Sequence, residues 1–492
     1  MKPIKQTLLS GAIILALSLV LTSCEDILGE WSRPTPVTPE PTPTPEPKTA
    51  GTISYVETNY LKGSLDPAFT NPLTLTGDGA VSYESTNTAV ATVDATGKVT
   101  IVGVGSATIK AKTSDTDATT YSTSEATYTL EVQEGYSYLK WDDTAKKLVS
   151  AIETNYQEVS SFTTTWDGTK VLVVKDPDVT IASDITLSGN TAIILCDGSK
   201  LTVNGNIINN TQDLTIYAQS EGEGMGLMNV TKNADDAIRV KNLSIHGGKF
   251  SAEVTGNVSK NDIFVSTSIN IYGGNITVQG ASYDANARVT FAAPSTTITG
   301  KAKVTAKGGK STNGMGGEGI GYGVYSTISI SGDAEVTAIG GEGGNCGGHG
   351  ILGVLSVSGH AKVIAIGGDN KGVGSLLNTS YGITSSSTIT ISGDAEVTAI
   401  GGNTLSGNLN GGAACNGNVV YQGGKFCFVG GTPSGTGSNG KAISGTLTNT
   451  SGASAFFQWS TDGSDWTDLS LTASSPGNTN NTEVTNRYLR TK

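Results

Sequence analysis

The residues of this chain that could do chemistry are few, and the most suggestive ones are acidic. Asp235 and Asp236 stand side by side just before Ile238, and Asp262 directly precedes Ile263 further along the chain. Hard oxygen ligands that converge from turns suit Ca²⁺. The alternative is that all three are solvated turn carboxylates. Asp235, Asp236 and Asp262 are therefore a candidate calcium site, and no other cofactor is indicated.

The surroundings of these acids resemble a known pattern. Asp235-Asp236-Ala237-Ile238, followed by Leu243-Ser244-Ile245-His246-Gly247-Gly248, is similar to the "D-D-A-I-H" and "L-x-I-x-G-G" motifs of bacterial carbohydrate-binding β-helix domains. Arg239 replaces the family's His, and later repeats lose the acids. The resemblance implies a β-helix that binds Ca²⁺ and acidic polysaccharide.

A second resemblance concerns catalysis. Gly348-His349-Gly350 and Asp235-Asp236 resemble two of the four polygalacturonase motifs, but the Asn-Thr-Asp motif is absent. The repeats described below place Asp235 and His349 about four coils apart. Paired carboxylates for glycoside hydrolysis must lie within roughly 5–10 Å of each other. We therefore predict no catalytic residues.

Sugar binding without catalysis usually requires exposed aromatic rings beside polar groups. The candidates on predicted loops are Tyr283, Tyr322, Tyr325 and Tyr381. Only 6% of the residues are aromatic, so a shallow glycan-contacting face is expected rather than a deep aromatic groove.

The elements that must position these residues repeat along the chain. The motif Ile-Ser-Gly-Asp-Ala-Glu-Val and its variants have their first glycine at Gly247, Gly273, Gly300, Gly332, Gly359, Gly393 and Gly423. Apolar residues within each copy alternate with period two, which excludes a helical repeat. Spacings near 27 residues are shorter than the ~40 of a propeller blade and suit one coil of a parallel β-helix with three short strands. The pattern resembles the right-handed parallel β-helix of pectate-lyase-like proteins.

Aligning the repeats predicts columns of stacked side chains. One inward column contains Phe250, Ile276, Val304, Val336, Val363, Val397 and Phe426. Two residues further on, a second inward column contains Ala252, Val278, Ala306, Ala338, Ala365, Ala399 and Phe428. The outward column contains Lys249, Asn275, Lys303, Glu335, Lys362, Glu396 and Lys425. Its charges alternate from Lys303 onward, and stacked opposite charges stabilise by a few tenths of a kcal/mol each.

A separate module precedes the repeats. Ser85-Thr86-Asn87 leads into Val90-Ala91-Thr92-Val93, Gly97-Lys98-Val99-Thr100 and Gly105-Ser106-Ala107-Thr108-Ile109. These segments resemble the signatures of the bacterial immunoglobulin-like group 2 family. The resemblance implies a β-sandwich, with Gly97 closing a hairpin, that serves mainly as a spacer on surface proteins.

The first residues predict export and anchoring. Lys2 and Lys5 precede an apolar run from Leu8 to Leu21, which suits a signal peptide and is too short for a transmembrane helix. Leu21-Thr22-Ser23-Cys24 resembles the bacterial lipobox, which implies lipidation of Cys24 and a membrane partner. Glu25-Asp26 resembles the export signal of Bacteroidetes surface lipoproteins. We therefore expect an outer-membrane lipoprotein exposed at the cell surface.

Composition narrows the function further. Seven prolines between residues 34 and 48 predict an extended spacer of about 45 Å. A net charge of −12 argues against nucleic-acid binding. Abundant glycine and only 15% charged residues are typical of a turn-rich all-β chain. Apart from Cys24, the four cysteines show no zinc spacing and are expected to be small buried residues.

The predicted order is a signal peptide (1–23), a lipid-anchored linker (24–50), an Ig-like domain (51–134), a β-helix (135–445) and a C-terminal strand cap or small β module (446–492). The start of the β-helix is expected near residue 170, after a capping hairpin over 136–166. A helix over 143–158 is the alternative there.

Three functions stay open at this point. The first is a non-enzymatic, monomeric surface lipoprotein whose β-helix binds glycan or mediates adhesion. The second is a β-helix polysaccharide lyase or hydrolase, and the third is a passive scaffold or coat protein. A cluster of acids with Arg or Lys in one groove would favour the enzyme.

Overall fold

The structure is a computed structural model. It describes residues 48–115, 120–256, 260–280, 289–311, 322–344, 347–371, 380–471 and 485–492. This described part contains 39 β-strands and no helix, so none of it qualifies as a membrane-spanning helix. Residues 50–492 form one compact unit, and the described hydrophobic clusters lie within it. The predicted all-β class is confirmed.

The Ig-like module comprises the first nine strands. They are β1 (Thr52–Tyr55), β2 (Asn59–Gly63), β3 (Phe69–Thr70), β4 (Leu73–Thr76), β5 (Val81–Ser85), β6 (Ala91–Val93), β7 (Lys98–Ile101), β8 (Gly105–Thr113) and β9 (Glu125–Gln133). One sheet has the order β2-β9-β8-β5 and another β3-β7-β6, while β1 pairs with β4. Val90, Val99 and Ile109 are buried between them, as the sandwich pattern predicts. Gly97, at φ +83°, closes the β6–β7 hairpin.

An antiparallel hairpin follows, formed by β10 (Tyr136–Asp142) and β11 (Lys147–Glu153). Asp142, the last residue of β10, starts the turn of the hairpin. Its Oδ1 accepts hydrogen bonds from the backbone N–H groups of Thr144 and Ala145, each at 2.8 Å. The predicted hairpin is therefore confirmed and the alternative helix is wrong. The hairpin was expected to pack on the first coil, and Tyr136 does pack against Val173 and Ile194 there. It also extends along the outside of later coils, as the ring contacts described below show.

The next 25 strands wind into the parallel β-helix. They are β12 (Tyr156–Glu158), β13 (Val171–Val174), β14 (Val179–Ile181), β15 (Ile185–Thr186), β16 (Thr191–Leu195), β17 (Lys200–Val203), β18 (Ile207–Ala218), β19 (Leu227–Lys232), β20 (Ile238–Ile245), β21 (Lys249–Val254), β22 (Ile263–Ile271), β23 (Asn275–Gln279), β24 (Phe291–Ile298), β25 (Lys303–Lys307), β26 (Val324–Ile330), β27 (Glu335–Ile339), β28 (Ile351–Leu352), β29 (Leu355–Val357), β30 (Lys362–Ile366), β31 (Ile383–Ile391), β32 (Glu396–Ile400), β33 (Cys415–Tyr421), β34 (Lys425–Val429), β35 (Ile443–Ser444) and β36 (Leu447–Asn449). Parallel pairing begins at β12, so the β-helix starts at Tyr156 rather than near residue 170.

Two long sheets share these strands. Sheet A has 15 strands and follows the order β12-β13-β16-β18-β20-β22-β24-β26-β28-β31-β33-β35. Sheet B has 13 strands and runs β14-β17-β19-β21-β23-β25-β27-β30-β32-β34 before the C-terminal strands join it. The strands of sheet A bend at register shifts, for example between Phe264 and Ser268, or split, as β28 and β29 do. The three expected segments of a coil thus belong to two sheets.

The predicted columns are confirmed strand by strand. Phe250 pairs with Ile276, and the register continues without a break to Val397 and Phe426. Both inward columns are buried. In the outward column, Lys303 and Glu335 form an ion pair at 3.2 Å, and Glu396 and Lys425 approach to 3.8 Å.

The C-terminal residues complete sheet B as an antiparallel cap. Their strands are β37 (Ala455–Ser460), β38 (Thr467–Leu471) and β39 (Tyr488–Thr491). β39 pairs with both β34 and β37, which places Phe457 and Leu489 in the main core. The segment is therefore a strand cap and not a separate module, and β36 shows that the last coil reaches Asn449.

The Ig-like module is joined to the β-helix through a buried carboxylate. Asp66 Oδ1 accepts hydrogen bonds from the backbone N–H of Ser137 at 2.9 Å and from Nε2 of Gln219 at 2.6 Å. Its Oδ2 accepts a hydrogen bond from the backbone N–H of Gly63 at 2.8 Å. Burial raises the pKa of Asp66, and its hydrogen bonds with Ser137 oppose that rise. One side chain thus ties the Ig-like module, the hairpin and a coil of the β-helix together.

Candidate functional site

The acids that the sequence selected lie at one corner of the β-helix, and each is engaged by the chain itself. Asp235 Oδ1 lies 3.0 Å from Lys260 Nζ, and Asp236 Oδ1 accepts the N–H of Asn261 at 2.8 Å. Burial raises the pKa of Asp236. Burial is also the largest single influence on Asp235, but the hydrogen bonds from Lys260 and the Asp236 N–H, together with the charges of Lys260 and Arg239, outweigh it and lower the pKa of that carboxyl group.

Asp262 is fully buried, and its Oδ1 accepts the N–H of Val254 at 2.8 Å. Among the residues that the structure describes, no group of three or more His, Cys, Asp or Glu side chains is arranged to hold a metal ion. The observed contacts of Asp235, Asp236 and Asp262 fix turns between coils. Calcium binding at these residues stays a prediction.

The two halves of the polygalacturonase-like pattern are far apart. Strand pairing leads from Ile238 through Ile263, Phe291 and Val324 to Ile351, which is four steps. Parallel strands lie about 4.8 Å apart, so the Asp235 and His349 backbones are separated by roughly 19 Å. The structure does not bring these residues together.

His349 belongs instead to an aromatic stack on three successive coils. Its ring lies 5.3 Å from that of Tyr322 and 5.0 Å from that of Tyr381, with interplanar angles of 29° and 27°. His349 Nδ1 accepts the N–H of Tyr381 at 3.0 Å, so the neutral ring carries its proton on Nε2. Burial lowers the pKa of His349 to about 4. These three rings are partly buried, but no strand of the hairpin packs on them in the described part of the chain. For that reason we call Tyr322, His349 and Tyr381 the open stack.

Local sequence explains why these rings align. Each ring residue directly precedes a glycine at a tight corner, namely Gly323, Gly350 or Gly382. A Cβ on Gly350 would lie 2.7 Å from the carbonyl oxygen of Gly382, so only glycine fits there. An aromatic residue, a glycine and an aliphatic residue at the start of three successive strands is a signal that could have revealed the stack.

The open stack continues into a groove. Tyr325, on β26, has its ring 6.1 Å from Tyr322 and is 51% exposed. It lies in a groove of about 680 Å³ on the outer side of the bend in sheet A. The apolar lining of this groove comprises Phe264, Ala292, Pro294, Tyr325, Leu352 and Val354. Exposed Ser266, Thr327 and Ser386 provide hydroxyl groups beside it, while the hydroxyl of Ser326 is buried against Thr296. Three of the four tyrosines selected from sequence therefore lie together, while Tyr283 lies outside the described residues.

The groove exists because sheet A bends. Phe264, Ala292, Tyr325 and Leu352 occupy one column across four coils, and the register shifts just after this column. Gly353, at φ +142°, lies in the bend, where a Cβ would meet the carbonyl oxygen of Ser326 at 1.8 Å. Sequence reasoning missed the groove because the bend depends on these shifts and not on the repeat itself.

A second stack of the same composition was also missed. His246 lies between Tyr217, at 4.7 Å, and Tyr272, at 4.8 Å. The hairpin covers it, because Tyr138 packs on Tyr217 at 4.6 Å and Trp141 stacks on Tyr272 at 5.1 Å and 16°. His246 Nδ1 accepts the N–H of Trp141 at 2.8 Å, and burial lowers the pKa of His246 to about 4. We call Tyr217, His246 and Tyr272 the covered stack.

The cysteines offer no reactive centre in the described residues. Cys196 and Cys415 are buried, as predicted, and burial raises the pKa of both thiols. Cys427 was also expected to be buried but is partly exposed, because it occupies an outward position of β34. Its pKa is also raised by burial. Cys24, the predicted lipidation site, and Cys346 lie outside the described residues.

Comparison with known proteins identifies one module. The model of the intimin immunoglobulin-like domain matches residues 73–119. Intimin of Escherichia coli O157:H7 is 36% identical over 83 residues, which cover 17% of this chain and only 9% of intimin. No solved structure matches the chain. The chain therefore contains an intimin-like Ig domain.

Proposed function

We propose that this chain is a non-enzymatic, adhesin-type surface lipoprotein whose β-helix binds a glycan. The observation that carries the proposal is the continuity of the open stack with exposed Tyr325 and the apolar groove. The intimin-like Ig domain supports an adhesin-type role at the cell surface.

The chemistry of the groove suits a carbohydrate. One face of a sugar ring is made of C–H groups that pack on aromatic and aliphatic side chains, and Tyr325 and Leu352 provide such surfaces. The hydroxyl groups of a sugar need hydrogen-bond partners, which Ser266, Thr327 and Ser386 supply at the groove edge. Because the groove crosses successive coils, a linear glycan lying along the β-helix axis would contact several of them.

The remaining parts of the chain fit the same purpose. In this proposal Cys24 carries the lipid at the outer membrane, the Pro-rich linker extends from it, and the Ig-like module is a spacer of the group 2 type found in Bacteroidetes-like surface lipoproteins. Lipid chains at one residue suffice for stable anchoring when more than one is attached. The acidic body is then held away from the membrane.

Binding without cleavage is favoured by His349. Its Nδ1 is occupied by the N–H of Tyr381, and its low pKa keeps it neutral at ordinary pH. Asp235, which the lyase or hydrolase alternative would pair with it, is four coils away and bound to Lys260. A general acid–base pair must lie within hydrogen-bond reach of the same substrate.

The proposal is tested by screening purified residues 50–492 against a glycan array, with Ca²⁺ and with a chelator. We expect a retained glycan and about tenfold weaker binding by Tyr325→Ala, since an aromatic contact contributes roughly 0.5–1.5 kcal/mol. Phe456→Ala is the matched control, because Phe456 is similarly exposed (58%) but lies in the C-terminal cap.

The outcomes separate the alternatives. Absence of any retained glycan contradicts the proposal and favours the passive scaffold. Release of shortened oligosaccharides would establish the lyase or hydrolase instead. If binding is lost in the chelator and also in Asp236→Asn, glycan binding depends on Ca²⁺ bound at the predicted calcium site.

A further inference from the structure

The outer face of sheet B has an unusual arrangement of charge on four successive coils. Strands β25, β27, β30 and β32 begin with Lys303, Glu335, Lys362 and Glu396, which neighbour one another in register. The signs therefore run plus, minus, plus, minus along the β-helix axis. In an alternating row of even length, reversal of the order turns every sign into its opposite.

The turn just before each strand also contains a basic, acidic or histidine side chain. Its residues are Lys301, Asp333, His360 and Asp394, two positions ahead of the strand charges. His360 lies between its two acidic neighbours, with Nδ1 3.3 Å from Asp333 Oδ1 and Nε2 3.5 Å from Asp394 Oδ2. Lys301, Asp333 and Asp394 thus have the same sign as the strand charge on their own coil, and His360 lies on the coil of Lys362.

Aliphatic side chains face outward beside these charges. Ile339, Ile366 and Ile400 end their strands at outward positions and are partly exposed. Ile364, between the charged and the aliphatic columns, is 42% exposed. The face therefore combines an alternating charge pattern with a row of partly exposed aliphatic side chains.

We propose that this face pairs with the same face of a second copy, with the two β-helices antiparallel. A twofold axis lying along the strands keeps each column opposite itself and reverses the order of the coils. Lys303 then meets the partner copy's Glu396, and Glu335 meets its Lys362. Ile339 and Ile366 meet across the same interface. In the parallel arrangement the twofold axis lies along the β-helix, so charges would face like charges if the axis followed the charged column and would face isoleucines if it followed the middle of the strands. The pattern therefore selects the antiparallel arrangement.

The size of the face predicts a weak association. Six coils, from Asn275 to Lys425, at about 4.8 Å each and strands of about 17 Å give a footprint of about 500 Å² per copy. A standard stable interface buries about 800 Å² per partner. The dimer is therefore expected to form at high local concentration, such as a crowded membrane surface provides, and this departs from the monomer expected from sequence.

The test is sedimentation equilibrium of residues 50–492 at low salt, from about 1 µM to about 1 mM. We expect reversible dimerisation that weakens as salt is added, since exposed charges are screened. Lys303→Glu places two like-charge contacts in each dimer and should weaken it about tenfold. Glu396→Lys should do the same.

Two combinations separate pairing between copies from pairing within one chain. An equimolar mixture of Lys303→Glu and Glu396→Lys chains should dimerise like wild type, because every contact between the two variants is complementary. The double variant Lys303→Glu/Glu396→Lys should also dimerise, although it places like charges side by side within its own ladder.

The double variant thus restores the dimer while its thermal stability stays below wild type. A wild-type chain that remains monomeric throughout the concentration range overturns the proposal. So does a mixture, or a double variant, that dimerises no better than the single variants.

Discussion

The covered stack and the open stack are each built from a tyrosine, a histidine and a second tyrosine in the same order, yet the chain uses them differently. In the covered stack, Trp141 of the hairpin supplies both an indole ring for Tyr272 and the N–H bound by His246. In the open stack, the N–H bound by His349 comes from Tyr381, a member of the stack itself. The ring series then leads to Tyr325 at the surface.

The difference shows that composition alone does not assign a role to a Tyr–His–Tyr series. The covered stack is a docking surface for a segment of the same chain, and it fixes the hairpin to the coils. The open stack shows that these coils can present aromatic rings in register without that segment. It is therefore the stack whose neighbourhood we assign to an external ligand.

The largest expected effect on stability comes from removing Trp141, the hairpin residue that stacks on the covered stack. Trp141→Ala should lower the free energy of unfolding by about 3 kcal/mol, because a partly buried indole loses its contact with Tyr272 and leaves a void. Urea denaturation followed by circular dichroism measures the change. Phe162→Ala is the control, since Phe162 is 89% exposed and should change stability by less than about 0.5 kcal/mol. Equal effects of the two substitutions would mean that the hairpin is not held by its rings.

Acid should weaken both stacks. Burial holds the pKa of His246 and of His349 near 4, while the unfolded side chain titrates near 6.5. The unfolded chain therefore binds more protons between these values, and the free energy of unfolding falls as pH drops from about 6.5 to 4. Each histidine accounts for up to about 3 kcal/mol of this loss.

Gln substitutions measure the contribution of each stack separately, because a Gln oxygen can still accept the backbone N–H. His246→Gln and His349→Gln should each flatten the pH dependence of stability to a similar extent. A much smaller change for His349→Gln would show that the open stack admits more water than the covered one. If neither substitution flattens the pH dependence, the loss of stability in acid does not come from protonation of His246 and His349.

The smallest expected change in stability is at the surface. Tyr325→Ala should change the free energy of unfolding by less than about 0.5 kcal/mol, because half of the side chain is already in water. The same denaturation experiment measures it. A loss above about 1 kcal/mol would mean that Tyr325 supports the fold, and weaker glycan binding by this variant would then have a structural cause.

The coils were predictable from sequence because two local signals agree at every repeat. Period-two alternation identifies the inward residues, and the glycine before each strand fixes where the strand starts, so Phe250 and Val397 could be placed in one column. The Ig-like hairpin at Gly97 was predictable for the same reason. These features depend on neighbours in sequence and on a regular stacking rule.

The candidate site was predictable only in part. Tyr322, Tyr325 and Tyr381 could be selected as exposed rings, but their alignment with His349 depends on which coil each loop joins. His246 could not be assigned, since its partner Trp141 is 105 residues away and comes from an element outside the repeat. The successful predictions came from the periodic spacing of the repeats. A contact between a coil and the hairpin leaves no periodic pattern in the sequence.

The buried carboxylate of Asp66 has a mechanical consequence. It accepts hydrogen bonds from the hairpin and from a coil while it also holds its own turn through Gly63. A pulling force on the Ig-like module would act on all of these hydrogen bonds at the same time. The Ig-like module and the β-helix would therefore rotate together as one rigid body instead of bending where they meet. The orientation of the groove would then be set by the orientation of the Ig-like module.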